Sequence, residues 1–297
     1  MSNQRKADLA LGLVTLFWGV SYYLVNLCLA ELQPMNLNAF RFLLAFLVLG
    51  PIFWKKLWNA SRATLKYSVI IGTLLVGVYA GATYGVAYTS ISNAGFICAL
   101  PVVFTPLLDF AVNRRKPGKK LAVALVMCTV GLALLTLNDQ FRPASGDLIC
   151  LVCAVCYAAD MLVTERAVAR PDVDAVTLGV CQLGVAGVLM LLVSALVEQP
   201  RLPLSPGVWG AAIFLGLFCS GIAFVIQSVA QQYTTASHVG VIFTLEPVFS
   251  GIVAYFFADE KLLPRGYVGA ALMLLSLLVM ETDWSGLLKK LRAGHGE

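Results

Sequence analysis

Glu246 lies in the apolar run Thr244-Leu245-Glu246-Pro247-Val248-Phe249. It sits about ten residues into a predicted membrane span, so about 15 Å deep at 1.5 Å per residue. An ionisable group at that depth is costly and by default points to function. Pro247 has no N–H, which frees a backbone carbonyl near Phe243. Carboxylate and carbonyl together suit a proton, a sodium ion or a substrate amine. The competing reading is a structural carboxyl that is hydrogen-bonded across helices.

Three more polar residues share this apolar setting. Asp160 is too short to reach an interface as a lysine does. It is read either as a second proton-coupling group or as a satisfied position near the cytoplasmic side. His238 opens the ninth predicted span and titrates near neutral pH when unperturbed, so it completes the proton-coupling set Glu246, Asp160 and His238. Against this, a histidine at a membrane interface is usually just a satisfied polar residue. Arg41 is the only basic residue within a span. Either it snorkels to the outer face, or it turns inward and holds a substrate carboxylate with its planar fork. Asp109, beside Arg114 and Arg115, reads as half of a solvated ion pair.

Aromatic and amide residues complete the expected substrate site. Trp18, Tyr22, Tyr79, Tyr157 and Phe243 lie within spans, where a hydroxyl or indole N–H needs a partner. Gln182 and Gln227 offer neutral hydrogen bonds to a polar ligand. With Arg41, these are the candidate substrate contacts, and ordinary packing is the alternative for each aromatic. Phe53, Trp54, Trp58, Tyr67, Trp209 and Trp284 fall near interfaces, as aromatic belts do. Cys150, Cys153 and Cys156 form C-x-x-C-x-x-C without a fourth ligand, so small apolar packing is expected rather than a metal or cluster. Gly77, Gly81 and Gly85 form a stripe that permits close helix approach. An internal seam fits it better than a dimerisation face, and the chain is expected to be a monomer or a homodimer.

These residues need a membrane around them. Of 297 residues, 59% are apolar and 12% charged, and the mean hydropathy is +0.84. Soluble domains carry about a quarter charged residues, so the composition excludes a soluble enzyme and a disordered chain. The expected fold is an all-α integral membrane protein with ten transmembrane helices near 9–29, 37–54, 67–88, 92–112, 121–137, 147–164, 175–197, 208–230, 236–257 and 267–281. The intervening loops are short and rich in turn residues. The first apolar stretch is too long for a signal peptide and lacks a cleavage pattern. With the N-terminus in the cytoplasm, sixteen of the 21 Lys and Arg residues face inward and four outward. That bias puts both termini in the cytoplasm and the protein in the inner (plasma) membrane. Basic loops against anionic lipid account for the net charge of +5 with no nucleic-acid partner.

The chain also repeats itself. Aligned at an offset of 145, residues 88–104 and 233–249 share eight of 17 positions, including Tyr88/Tyr233, Gly95/Gly240, Leu100/Leu245 and Phe104/Phe249. Residues 1–137 and 147–282 are then two five-helix halves, joined by the linker 138–146 and followed by a tail, 283–297. Five is odd, so the second half enters the membrane from the opposite side. Inverted-topology repeats of this kind build many secondary transporters.

Phe17-Trp18-Gly19-Val20-Ser21, Ala87-Tyr88-Thr89-Ser90, Gly146-Asp147, the Glu246-Pro247 segment, and Asp259-Glu260-Lys261 before Gly266 and Gly269 occur in order along the chain. Their succession resembles the EamA family of the drug/metabolite transporter superfamily. One departure is visible: Pro101 aligns with Glu246, and Val102 with Pro247. The resemblance implies a ten-helix permease with a central cavity, exporting amino acids or related small polar metabolites. Proton coupling and facilitated diffusion are both open, and no cofactor is expected. A multidrug exporter of lipophilic cations is the first alternative and would disfavour an inward Arg41. An intramembrane enzyme is the other. It lacks a histidine at the right depth, and the sequence holds no H-E-x-x-H, G-x-S-x-G or P-loop.

Overall fold

The computed structural model describes residues 2–86, 88, 97–136, 145–257 and 263–281. The linker residues 138–144, the tail 283–297, and Ala87, Thr89, Ser90, Ser92, Gly95, Phe96, Asp259, Glu260, Lys261 and Trp284 lie outside these. The described residues form helices and no strand. In hydrocarbon the backbone must satisfy its own hydrogen bonds, and long apolar runs do so as helices.

The helices are α1 (Asn3–Leu29), α2 (Pro34–Ile52), α3 (Trp54–Trp58), α4 (Arg62–Val86), α5 (Pro101–Asn113) and α6 (Lys119–Thr136). They continue with α7 (Ser145–Val168), α8 (Ala175–Val197) and α9 (Pro206–Ala230). The last three are α10 (Ala236–Phe243), α11 (Glu246–Phe257) and α12 (Pro264–Glu281). Their starts follow ordinary capping chemistry. Asp174 Oδ1 accepts from Thr177 N at 2.8 Å, and Thr235 Oγ1 from His238 N at 3.3 Å. Pro34 and Pro206 occupy first-turn positions where no N–H is missed.

Among the described residues, seven spans are long and apolar enough to cross a bilayer: α1, α2, α4, α7, α8, α9 and the run Ala236–Phe257 through α10 and α11. The other three expected stretches coincide with α5, α6 and α12. Outward faces are apolar, with Leu9, Leu47, Val126 and Leu196 exposed, as lipid contact requires.

Two of these seven depart from simple helices. The run Ala236–Phe257 is interrupted at Thr244 and Leu245, between α10 and α11. α9 holds a π-helical stretch at Leu215–Ile222, the kind of widened turn that recurs at functional sites.

Packing joins the two halves throughout. α4 lies against α7 and α8, α2 against α8 and α9, and α1 against α9 and α11. α5 packs on α7 and α10, and α6 on α12. Small residues make these contacts close. A Cβ on Gly81 would sit 2.7 Å from Cys153 N, and one on Gly77 2.7 Å from Cys156 Sγ. Gly85 meets Cys150 in the same way. The glycine stripe of α4 and the cysteine stripe of α7 are therefore two sides of one seam, and all eight cysteines are free thiols. At the α2–α8 contact, a Cβ on Gly187 would lie 2.8 Å from Leu43 N.

Candidate functional site

Glu246 is the first residue of α11, immediately after the break. Thr244 N donates to Val241 O at 3.2 Å and Leu245 N to Ile242 O at 3.0 Å, so the backbone tightens to three-residue spacing. Pro247 follows and cannot donate. The carboxylate thus sits at a helix N-terminus, where the macrodipole favours negative charge. The first half is interrupted at the aligned position. Leu100 N donates to Ile97 O at 3.1 Å, and α5 starts at Pro101.

α1 reaches this break at Gly19. A Cβ there would lie 2.5 Å from Phe249 Cβ and 2.9 Å from Ser250 N, so only glycine admits α11 this closely. One turn on, the Tyr22 hydroxyl donates to Glu246 Oε1 at 2.8 Å. One turn of α1 therefore carries both the close approach and the hydrogen bond.

Trp18 anchors the aromatic group. Its Nε1 donates to Cys219 O at 2.8 Å, a carbonyl of the π-helical stretch. Its ring lies 4.8 Å from Phe243, 5.7 Å from Phe224 and 6.2 Å from Tyr157. Tyr157 and Phe243 are stacked at 6.1 Å.

Arg41 is turned inward and is only 3% exposed, so it does not snorkel to the outer face. Its Nε donates to Ser220 Oγ at 2.6 Å, again on the π-helical stretch. The guanidinium carbon lies 5.3 Å from the Tyr79 ring centroid and 5.8 Å from that of Phe42, within cation–π range. Its two terminal nitrogens make no hydrogen bond to protein among the described residues. No carboxylate lies within 4.0 Å of Arg41 among the described residues. Arg41 and Glu246 are thus an opposed pair held apart, each with hydrogen-bonding capacity left over.

The profile of the EamA-like transporter family matches residues 5–137 and again 144–282. The chain belongs to this family. An uncharacterized transporter of Archaeoglobus fulgidus is 27% identical over 274 residues, spanning 92% of this chain and 85% of the relative. The uncharacterized transporter YyaM of Bacillus subtilis is 23% identical, covering 89% and 90%. A solved structure described as the crystal structure of a protein superposes with a TM-score of 0.78 at 19% identity, over 93% of this chain and 96% of that one. That likeness concerns the fold alone.

Within this EamA-like membrane transporter, the candidate residues divide into three places. Trp18, Tyr22, Arg41, Tyr79, Tyr157, Phe243 and Glu246 gather around the break and the π-helical stretch. Asp160, Gln182 and Gln227 lie together between α7, α8 and the end of α9, all nearly fully buried. His238 stands apart at the start of α10, its Nε2 3.5 Å from Asp8 Oδ1. The ion pair expected of Asp109 with Arg114 or Arg115 is not formed among the described residues. Asn113 Nδ2 donates to Asp109, and Arg115 pairs with Glu165 at 3.0 Å.

Sequence reasoning missed Ser220, Phe42 and Gln231. Ser220 owes its role to the widened turn of α9, which no residue pattern announces. Gln231 follows Gln227 by one turn of helix, and that spacing was available to read.

Proposed function

We propose that this EamA-like protein is a secondary transporter of small zwitterionic metabolites, with amino acids as the substrate class. The observation that carries the reading is the separated pair Arg41 and Glu246. Arg41 keeps unused N–H donors for a carboxylate, and Glu246 keeps one oxygen for an ammonium. Tyr79, Tyr157, Trp18 and Phe243 supply apolar contact around them. A substrate that bridges the pair replaces water at both charges at once.

Alternating access between two inverted five-helix repeats is the mechanism we infer, with ten spans, both termini in the cytoplasm of the inner membrane, and export as the direction. The packing supports the two-fold relation. The contact of α4 with α7 has its mate in that of α9 with α1, and α4–α8 has its mate in α9–α2. α5–α7 has its mate in α11–α1, while α2–α8, α5–α10 and α6–α12 pair each span with its own counterpart. The two matches of the family profile support the same division. Glu246 is the coupling group: it binds a proton or the substrate ammonium, and each excludes the other. A lipophilic-cation exporter would share the acid and the aromatics, but the inward Arg41 opposes a cationic substrate.

The test is counterflow in proteoliposomes preloaded with amino acids, peptides, nucleosides and organic cations, read by mass spectrometry. Exchange of amino acids, lost in Glu246→Gln, supports the reading. Exchange confined to lipophilic cations overturns it.

A further inference from the structure

The three packed helices α7, α8 and α9 enclose more hydrogen-bond acceptors than donors. Both Asp160 oxygens and the Oε1 atoms of Gln182, Gln227 and Gln231 are buried without a hydrogen-bond partner. The four residues are 1%, 2%, 2% and 3% exposed in the same order. Such groups are hydrogen-bonded almost without exception in native interiors, and leaving one unpaired costs about 1–3 kcal/mol.

The amide orientations follow from the partners. The Gln231 amide contacts Met161 O at 2.9 Å. A carbonyl accepts only, so the contacting atom is Nε2 and the oxygen is the free end. The Gln182 amide contacts Ser228 Oγ at 3.4 Å, and that hydroxyl spends its proton on Phe224 O at 2.9 Å. Gln182 must therefore donate as well, which again leaves its oxygen free. The Gln227 amide is the polar group nearest Asp160, and an N–H given to that carboxylate still leaves the Gln227 oxygen unpaired. Gln227, Ser228 and Gln231 span little more than one turn of helix, and Met161, which Gln231 contacts, adjoins Asp160.

No side-chain cation among the described residues pairs with them. No ion pair reaches Asp160 among the described residues, and its titratable neighbours are Cys156 and Tyr157 of its own helix. An ionised carboxylate in this setting is strongly unfavourable unless a positive charge joins it. One proton on Asp160 satisfies at most two of the five oxygens. A bare monovalent metal ion accepts several oxygen ligands at once, and a single carboxylate neutralises it.

We propose that Asp160, Gln227, Gln182 and Gln231 form a sodium-ion site within the membrane, separate from Glu246 and Tyr22. The ion ties α7 to α8 and α9, on the cytoplasmic half of the fold. The inference does not depend on the substrate assigned above.

Thermal unfolding of the purified full chain in detergent tests it, with NaCl replacing choline chloride at constant ionic strength, at pH 6 and pH 8. The expected result is a saturable rise in Tm with sodium, absent in Asp160→Asn and Gln227→Leu and retained in Glu246→Gln. Should Asp160→Asn fail to fold, Gln231→Met and Gln182→Leu are expected to raise the sodium midpoint tenfold or more. Identical curves in sodium and choline overturn the proposal. A Tm that follows pH alone overturns it too, in favour of a protonated Asp160.

Discussion

The Tyr22 hydroxyl and the Glu246 carboxylate meet at 2.8 Å across 224 residues of sequence. The bond joins the first span of one half to the broken span of the other. It exists because Gly19, one turn earlier, admits α11 to backbone contact. A change that moves α1 against α11 must break this bond or carry the carboxylate with it, so it reports on the relative position of the two halves.

Tyr22→Phe keeps the ring and removes the donor. A hydrogen bond to a charged group is worth about 1.5–3 kcal/mol, so amino-acid counterflow is expected to fall about ten- to a hundred-fold. Tm should change little, because the hydroxyl is not part of a packed core. Counterflow at the parental rate in Tyr22→Phe would show that the bond is incidental to transport.

Arg41→Lys is expected to behave as a severe change. The guanidinium uses Nε for Ser220, lies over Tyr79 and gives no hydrogen bond from its terminal nitrogens among the described residues. An ammonium cannot reproduce that division of labour. The half-saturating amino-acid concentration should rise at least about tenfold, roughly one lost charge-assisted hydrogen bond. Ser220→Ala should give a smaller rise, since it loosens the guanidinium without removing it. Equal effects of both substitutions would point to a purely structural Arg41.

Much of this arrangement was readable in the residues. Glu246-Pro247 marked a buried acid beside a lost backbone hydrogen bond, whereas the span 236–257 was read as continuous and is interrupted at Thr244 and Leu245. Gly77, Gly81 and Gly85 marked a seam, although the sequence alone did not show that Cys150, Cys153 and Cys156 form its other side. Partners across a seam depend on helix order, which one helix's period does not contain. Arg41 stood out by charge but not by direction, because helices buried on most sides have no polar face to orient them. The π-helical stretch at Leu215–Ile222 was invisible. Its carbonyl at Cys219 is recruited by Trp18, and that tertiary contact leaves no local pattern.

The seam itself yields a graded prediction. A methyl at Gly81 would press on Cys153 backbone at 2.7 Å, while one at Gly77 meets the Cys156 thiol, which can rotate away. Nothing lies within 4 Å of the position a Cβ would take on Gly12. Gly81→Ala should therefore lower Tm most, in line with overpacking costs of about 1–3 kcal/mol. Gly77→Ala should lower it less, and Gly12→Ala should leave it unchanged or slightly raised. Cys156→Ala should restore Gly77→Ala but not Gly81→Ala. The same loss at Gly12 and Gly81 would mean that helix propensity rather than the seam governs stability.

The end of α1 and the start of α9 are joined by Glu31, which lies between α1 and α2. Its Oε2 accepts from Leu204 N at 2.7 Å and Ser205 N at 3.2 Å. Hydrogen bonding from the Ser205 side chain, then from the Leu204 backbone, holds the Glu31 carboxyl below its ordinary range. A carboxylate with a depressed folded value stabilises the fold above its unfolded value. That contribution is lost as pH falls through the folded value. Tm should therefore decline on acidification below about pH 4, where free glutamate takes up its proton. Glu31→Gln should remove part of that decline while lowering Tm at neutral pH, because the amide accepts these N–H groups without charge. If the parent and Glu31→Gln lose Tm in parallel across the acid range, the junction of α1 and α9 does not depend on this carboxylate.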